Sequence, residues 1–365
     1  MEIKRKKTRT VAVGGIFIGG DAPISVQSMT TLPVSDVKRT VRQICGLKDA
    51  GAELVRVAVP DIKSALFIKD IKKSVDIPVI ADIHFDYRIA VEAIKNGADK
   101  IRINPGNIGG ADRVKIIIES ARKRNVPIRI GVNSGSLKAL KEGDSFFALD
   151  SKMRAQAMVR ELLEYIKIFE RENYTNLVLS LKSSDVLTSI LSYRMISNLR
   201  DYPLHLGITE AGDMVGGTVR SAIGIGTLLS EGIGDTIRIS LSADPVEEIK
   251  VGKEILKSLN LRKLGPVMIS CPTCGRCQVN IIDMVSKTGR LIEELTAKNA
   301  GLRKTNIKVA VMGCVVNGPG EARDADIGFA GGKNWGMLFK RGKKIKRIRP
   351  ASWTRELKKE LVKKA

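Results

Sequence analysis

Residues 78–110 decide the fold, and their sequence is PVIADIHFDYRIAVEAIKNGADKIRINPGNIGG. An apolar run typical of a buried strand ends at His84, and a second such run begins at Lys100. Between them, Tyr87–Lys95 carries apolar residues at the spacing of one helix face. This order predicts two parallel strands joined by a crossover helix.

The same alternation extends in both directions from this unit. After a short hairpin predicted over Val11–Gly19, about eight strand-like runs follow, each succeeded by a segment with helical periodicity. Repeated β-α units over roughly 250 residues predict an α/β fold, the TIM (β/α)8 barrel. A doubly wound sheet is the alternative, but it does not explain the evenness of the alternation. The predicted strands are Ser25–Thr31, Leu54–Pro60, Pro78–His84, Lys100–Gly106, Pro127–Asn133, Asn176–Ser183, Pro203–Glu210 and Thr236–Ser242, and the predicted helices include Asp36–Ala50, Asp61–Lys73, Tyr87–Lys95 and Ala111–Arg124.

Polar residues recur on one face of the predicted strands. Parallel strands buried on both faces are usually nearly continuous in Val, Ile and Leu, yet here charged residues occupy alternate positions, as in Ile101-Arg102-Ile103-Asn104. Unpaired charge in a dry core is costly, so we expect one end of the barrel lumen to hold water or an anion. Guanidinium groups bind phosphate oxygens in bidentate fashion, which favours a phosphate-rich ligand. Working residues of barrels lie at the carboxyl ends of the strands, and this places around one mouth His84, Asn104, Asn133, Lys182, Glu210 and Ser240.

Four of the five cysteines lie in two segments near the end of the chain, SCPTCGRC over 270–277 and GCVVNGPGE over 313–321. A C-x-x-C spacing puts Cys271 and Cys274 on one turn, and Cys314 is the natural third ligand. Thiolates select zinc, copper(I) or iron–sulfur clusters. Glu321 would be a harder and more labile ligand than a thiolate. The alternative is a structural zinc site made by Cys271, Cys274, Cys277 and Cys314.

The chain is predicted to form two domains, a barrel over residues 1–262 and a smaller α+β cluster domain over residues 263–365. A helix capped by Asp244 and starting at Pro245 closes the barrel, and a helix over Ile281–Lys298 separates the two cysteine segments. The second domain is too short to enclose a large substrate pocket alone, so we expect its metal centre to work against a barrel mouth. The polar segment Gly135–Lys152 has the composition of a lid.

Composition limits the class of protein. The chain has 365 residues, 43% of them hydrophobic, and a net charge of +23. Met1–Lys7 lacks the apolar run of a signal peptide, and clustered thiols suit a reducing compartment, so we expect a cytoplasmic protein without a membrane span. Aromatic residues are only 4%, and no RNP-like or helix-turn-helix motif occurs, so nucleic-acid binding is not expected. The basic stretch Lys340–Arg349 is either solvated or steers an acidic electron carrier. Cys45 is predicted to be a small core residue.

Six motifs together resemble one family. SCPTCGR, CVVNGPGE, ADIHFDYRIA, KIRINPGNIGG, HLGITEAG and SADPVEEIKVG are similar to the bacterial 4-hydroxy-3-methylbut-2-enyl diphosphate synthases, iron–sulfur enzymes of the non-mevalonate isoprenoid pathway. The similar blocks extend from about Ser25 to Gly332. The resemblance implies a 4Fe-4S cluster whose ligands match Cys271, Cys274, Cys314 and Glu321. Cys277 departs from the family pattern, which leaves open whether it competes with Glu321 for the fourth iron.

The resemblance also implies a substrate, 2-C-methyl-D-erythritol 2,4-cyclodiphosphate, opened by two electrons that a flavodoxin or ferredoxin supplies. It implies a homodimer in which the cluster domain of one subunit closes over the barrel of the other. We assign catalysis to Glu210 and Glu321, with Asn317 as a further substrate contact. The diphosphate is assigned to Arg56, Arg129, Lys182, Arg238 and Ser240, and the other polar contacts to Asp82, His84, Asn104, Asn133 and Glu210.

Overall fold

The computed structural model describes residues 3–137, 149–314 and 322–364. The chain divides into two compact units, Met1–Leu261 and Arg262–Ala365. No helix within the described ranges is long and apolar enough to cross a membrane.

The first unit is the predicted (β/α)8 barrel. Its eight barrel strands are all parallel, in the order β8-β7-β6-β5-β4-β3-β10-β9, and a bridge between Leu179 and Leu204 joins the two ends of the sheet. Each of the eight predicted strands is present. The strands of this unit are β1 Val11–Val13, β2 Ile16–Ile18, β3 Ser25–Met29, β4 Leu54–Val59, β5 Val79–Ile83, β6 Lys100–Ile103, β7 Ile128–Asn133, β8 Leu177–Lys182, β9 His205–Leu206 and β10 Thr236–Ile237.

The helices of the first unit follow the strands, and aspartate caps define several of their starts. Asp36 accepts from Arg39 N, and Asp244 accepts from Val246 N with Pro245 in the first turn, as predicted. The predicted helix over Asp61–Lys73 is interrupted at Phe67, whose amide donates to Ala65 O outside the helical pattern. A new helix begins at Ile68, where the Phe67 carbonyl accepts from the Ile71 amide. The helices are α1 Val37–Ala50, α2 Ile62–Leu66, α3 Ile68–Ser74, α4 Tyr87–Lys95, α5 Pro105–Ile108, α6 Ala111–Arg124, α7 Ser151–Arg171, α8 Val186–Leu199, α9 Met214–Ser230 and α10 Pro245–Ser258.

The N-terminal hairpin closes one end of the barrel. Strands β1 and β2 pair antiparallel, and their apolar side chains pack on residues near the amino ends of three barrel strands, Leu54, Ile80 and Val178. These residues are all fully buried. The amino end of the lumen is therefore sealed by apolar contacts, and the opposite end carries the mouth.

The second unit has a five-stranded mixed sheet with helices packed on it. Its first three strands are parallel and its last three antiparallel, in the order β11-β12-β13-β14-β15. Trp353 is buried in its core, where its ring lies 5.8 Å from that of Phe329 and its indole donates to Thr288 Oγ1 at 2.8 Å. The elements are β11 Val267–Ser270, α11 Ile281–Lys298, α12 Ala300–Arg303, β12 Lys308–Met312, β13 Ile327–Gly331, β14 Gly336–Lys340, β15 Lys343–Ile348 and α13 Trp353–Lys363.

Candidate active site

A polar cavity of about 180 Å³ opens at the carboxyl ends of the barrel strands. Every barrel strand except β3 contributes to its lining, directly or through the residues just after it. Four guanidinium groups and one amine face a single carboxylate. The lining residues are Arg56, Asp82, His84, Arg102, Arg129, Asn133, Ser180, Lys182, Thr209, Arg238 and Ser240.

Asp82 is the centre of the charge network in this cavity. Its Oδ1 accepts from Arg102 Nη1 at 3.3 Å, and its Oδ2 lies 3.8 Å from Arg56 Nε and 3.5 Å from His84 Nε2. The strand register explains the meeting, because Asp82 and Arg102 are direct partners across β5 and β6. Burial acts to raise the pKa of Asp82, but Arg56, the hydrogen bond to His84, and Arg102 outweigh burial and hold that pKa well below its usual value. The carboxylate therefore stays ionised and orients two arginines.

The positive charge of the cavity arginines is only partly neutralised. Arg56 donates to the thioether of Met29 at 2.9 Å, Arg129 donates to the amide oxygen of Gln27 at 3.3 Å, and Arg238 lies 3.5 Å from Glu248 Oε1. A thioether and an amide oxygen accept hydrogen bonds but carry no charge. Burial and Arg56 lower the pKa of Arg238 to about 10, so this group is still charged near neutral pH. The cavity consequently presents positive charge and unused donor capacity to a bound anion.

The mouth of the barrel includes two residues with left-handed backbone. Glu210 has φ +52°, and Phe85 has φ +68° with 72% of its surface exposed. Non-glycine residues in this region cost of order 1–3 kcal/mol each and cluster at functional sites. Glu210 is exposed and follows Thr209, which lines the cavity. Its carboxylate is thus held at the rim by a turn that an unconstrained chain would avoid.

The structure brings most of the predicted barrel residues together, but not all. Asn104 is buried and caps the short helix α5 by accepting from Gly106 N, so it does not line the cavity. Asn317 and Glu321 lie outside the described residues, as does most of the predicted lid segment. Eight predicted residues line the cavity: Arg56, Asp82, His84, Arg129, Asn133, Lys182, Arg238 and Ser240.

Three lining residues were absent from the sequence assignment. The sequence could have identified Arg102, because it alternates in the strand with Asn104 and so faces the same side, two residues before the predicted mouth of the barrel. Ser180 also has the parity of Lys182, but a serine in a strand carries little chemical signal. Thr209 belongs to an irregular segment after β9, where the period of two no longer predicts the facing side.

The cysteine segments of the second unit meet at the ends of two paired strands. Ser270 and Val311 are partners across β11 and β12, so Cys271 and Gly313 follow adjacent strand ends. The Gly313 amide donates to Cys271 Sγ at 3.1 Å, and a Cβ at Gly313 would lie 2.5 Å from Cys277 Sγ and 3.6 Å from Cys271 Sγ. Cys314 is 5% exposed. An amide donor on the sulfur of Cys271 and a second thiol, that of Cys277, beside the same glycine fit a group bound by thiolates.

Two further observations concern the cysteines. Among the described residues, no three His, Cys, Asp or Glu side chains are grouped closely enough to hold a single metal ion. Cys277 donates to the Val279 carbonyl at 3.1 Å, a local contact that packs it beside Gly313. The prediction that Cys45 is a core residue is wrong: Ile44 and Leu47 occupy the buried face of α1, and Cys45 is exposed on the other side.

Comparison with known proteins covers both units. Residues 8–253 match the family model described as the GcpE TIM-barrel domain, and residues 267–363 match the GcpE protein C-terminal domain. The chain is 52% identical to a protein of Ruminiclostridium cellulolyticum over 98% of both chains, and 53% identical to one of Clostridium perfringens over 97% of this chain and 98% of the other. Both relatives are named 4-hydroxy-3-methylbut-2-en-1-yl diphosphate synthase (flavodoxin).

A solved structure of a dihydropteroate synthase from Coxiella burnetii is similar in fold. It superposes with a TM-score of 0.51 at 14% identity and covers 69% of this chain and 97% of that chain. At this identity the likeness bears on the barrel fold alone.

Proposed function

The chain belongs to the GcpE family, and on that premise we propose that it converts 2-C-methyl-D-erythritol 2,4-cyclodiphosphate to (E)-4-hydroxy-3-methylbut-2-enyl diphosphate in isoprenoid precursor biosynthesis. The enzyme is an oxidoreductase, and the word flavodoxin in the names of its relatives supports a flavodoxin as its electron donor. One observation supports the substrate assignment above others: the barrel cavity presents four guanidinium groups and a lysine against one carboxylate. A diphosphate supplies the missing negative charge.

The conversion fixes what the protein must handle. A carbon–oxygen bond to one phosphate breaks, a hydroxyl leaves as water, and two electrons and one proton are consumed when both diphosphates are fully ionised. The dianionic ring becomes an open diphosphate whose terminal phosphate has a second ionisable oxygen, with a pKa of about 6. The site must therefore bind a diphosphate, supply a proton near the departing hydroxyl, and tolerate one additional negative charge.

The barrel residues divide between these tasks. We assign the diphosphate oxygens to Arg56, Arg129, Lys182, Arg238 and Ser240, and we add Arg102, because Asp82 orients its guanidinium toward the cavity. Asp82, His84 and Asn133 make the other polar contacts. Asn104 contributes through the turn that it caps. Glu210, at the rim, handles the proton of the departing hydroxyl.

The second unit holds the redox group in this proposal. We propose a 4Fe-4S cluster ligated by Cys271, Cys274, Cys314 and Glu321, with Asn317 as a further substrate contact. When bound, such a cluster supplies one-electron transfer and a Lewis-acidic iron. The approach of Cys271 to Gly313, the residue before Cys314, supports the part of this assignment that joins the two cysteine segments.

A direct assay tests the proposed function. Anaerobically purified enzyme is incubated with the cyclodiphosphate and reduced flavodoxin, and the phosphorus NMR spectrum is followed. Conversion of the ring signals to those of an open diphosphate supports the proposal, and it should be abolished by Arg129→Met. Lys48→Met, which removes an exposed lysine paired with Asp76, is the matched control and should leave turnover unchanged. Unaltered ring signals with the cluster-loaded wild-type enzyme would refute the assignment.

The family also motivates a homodimer whose active sites combine the cluster unit of one subunit with the barrel of the other. Helix α9 exposes Val215, Val219 and Ile223 along one face, an apolar surface suited to a second copy. The test mixes Arg56→Ala protein with Cys314→Ala protein after subunit exchange. Regained activity supports shared sites, whereas a mixture as inactive as its components contradicts them.

A further inference from the structure

The barrel contains a second polar layer that none of these roles uses. Lys100 lies two residues before Arg102 on β6, so its side chain faces the same lumen one layer nearer the sealed end. His205 and Ser25 are both strand partners of Thr236. We call Ser25, Gln27, Lys100, His205 and Thr236 the lower tier; all are buried, Lys100 and His205 completely.

The lower tier is rich in polar atoms without a hydrogen-bond partner among the described residues. Such atoms normally cost 1–3 kcal/mol each when buried, and native structures contain few of them. A group of them in one layer, directly below a ligand cavity, indicates a functional requirement rather than optimal packing. The atoms of the tier are Ser25 Oγ, Gln27 Nε2, Lys100 Nζ, His205 Nδ1 and Thr236 Oγ1, and Arg129 Nε in the cavity above is a further atom of this kind.

Two contacts connect this tier to the cavity. Lys182 lines the cavity, and its Nζ lies 3.2 Å from His205 Nε2. Arg129, which also lines the cavity, donates to Gln27 Oε1 at 3.3 Å. A change of charge in the cavity therefore acts on the tier through neighbouring side chains across a medium of low dielectric constant.

The charge balance around Lys100 is strongly positive. Burial, Arg129 and Arg56 lower the pKa of Lys100 well below its usual value, and burial followed by Arg129 does the same for Lys182 and His205. Burial also lowers the pKa of Arg129, but guanidinium groups stay protonated in proteins. The charged and titratable groups that interact directly with Lys100 are Arg56, Arg129 and His205. These groups belong to a larger charge network that also includes Asp82, Arg102, Lys182, Arg238 and Glu248.

We propose that Lys100 is a charge-compensating residue, which takes up a proton when the bound diphosphate gains its additional negative charge and releases that proton when the product leaves. The inference rests on the proposed function. The cavity and the tier below it hold four guanidinium groups, Lys100 and Lys182 against two carboxylates, Asp82 in the cavity and Glu248 beside Arg238, so the free site has an excess of positive charge that disfavours an ammonium at Lys100. Opening the ring leaves the bond's electron pair on the phosphate oxygen, and a nearby neutral amine is then favoured to accept a proton from solvent. Lys100 does not contact the substrate. Its role is to place a positive charge in the layer below the bound diphosphate.

Calorimetry of product binding tests the proposal. The cluster-loaded enzyme is titrated anaerobically with 4-hydroxy-3-methylbut-2-enyl diphosphate at pH 8, where the terminal phosphate, with a pKa of about 6, is already ionised. Two buffers of different ionisation enthalpy report the protons exchanged. Wild type should take up about one proton per chain, and the cyclodiphosphate should cause less uptake.

Variants locate the proton. Lys100→Met should abolish the uptake and weaken product binding about 10-fold, while it raises the melting temperature of the free enzyme because an unpartnered amine is removed. Lys100→Gln provides a second variant. Lys257→Met is the matched control, since Lys257 is also buried but is paired with Glu254 on α10; it should retain the uptake.

Each outcome of these titrations either supports or overturns the proposed role of Lys100. Product binding without proton uptake, or uptake retained in Lys100→Met, overturns the role of Lys100 and leaves the proposed function intact. Failure of both Lys100 variants to fold would make Lys100 structural and would also overturn it. If neither diphosphate binds wild type, the proposed function falls, and this inference falls with it.

Discussion

Replacing Asp82 by Asn should separate the structural and binding roles of the cavity charges. The substitution keeps the shape of the side chain but removes the carboxylate that faces Arg102 at 3.3 Å and Arg56 at 3.8 Å. Breaking a buried ion pair by removing one partner costs about 3–5 kcal/mol, because the other charge is left uncompensated. Applied to this barrel, that loss lowers the melting temperature by roughly 10 °C.

The assay is differential scanning calorimetry of the free enzyme and of the enzyme with product diphosphate. A ligand that binds only the folded state at 100 times its Kd adds about 2.7 kcal/mol, and its negative charge also replaces the missing carboxylate. The melting temperature of Asp82→Asn should therefore recover more on ligand addition than that of wild type.

The control is Asp76→Asn, which breaks the exposed pair with Lys48 at 2.5 Å and should cost less than about 1 kcal/mol. The pKa of Asp82 is depressed in the folded state, so its contribution is present above the unfolded pKa of about 3.9 and is lost only as the pH falls through the folded value. The deficit of Asp82→Asn should accordingly be constant between about pH 5 and pH 9. A melting temperature that falls no further than that of the control, or a deficit that changes across this range, would refute the reasoning.

Three further substitutions have defined outcomes. Glu210→Ala should lower kcat by roughly 100-fold while calorimetry shows substrate binding retained; unchanged turnover would remove Glu210 from the proton transfer. Gly313→Ala should reduce the iron and sulfide content per chain, because the new methyl group would lie 2.5 Å from Cys277 Sγ. The additional change Cys277→Ala should restore that content by making room, and no restoration would contradict the steric cause. Lys343→Glu together with Lys344→Glu, on the exposed strand β15, should raise the KM for reduced flavodoxin several-fold at low salt and less at high salt; an effect that persists with a small chemical reductant would exclude docking as the cause.

The sequence was most informative where one strong physical constraint acts on each residue. Charged residues at alternate positions of an apolar strand have only one low-energy placement, and for this reason the parity of Arg102 and the other lumen residues predicted the cavity. Aspartate followed by proline likewise predicted the start of α10.

The sequence was less informative where tertiary neighbours choose between two acceptable local outcomes, and of the residues concerned only Cys45 was predicted wrongly. Asn104 is polar at a strand end, which fits a ligand contact as well as a helix cap, and the turn at Gly106 selects the cap. Cys45 is small and weakly polar, so its side of α1 depends on whether Ile44 or its own sulfur packs inward. The sequence placed Lys100 in a strand but not in a site. Its proposed role follows from the absence of a hydrogen-bond partner for its amine among the described residues, which a lysine in a strand does not reveal by itself.

The cationic side chains of the barrel differ in their access to solvent: the arginines lie near the open mouth, and Lys100 lies near the closed amino end. Arginines near the mouth remain charged because a guanidinium disperses its charge and the open end permits hydration. The hairpin with Val11, Val13 and Ile18 seals the other end with apolar groups, so a fixed ammonium at Lys100 would have neither solvent nor carboxylate to stabilise it. Burial, Arg129 and Arg56 lower the pKa of Lys100 and so favour its neutral form in the free enzyme. Sealing the amino end of the barrel therefore does more than close a core: it makes the charge of Lys100 depend on the ligand above it.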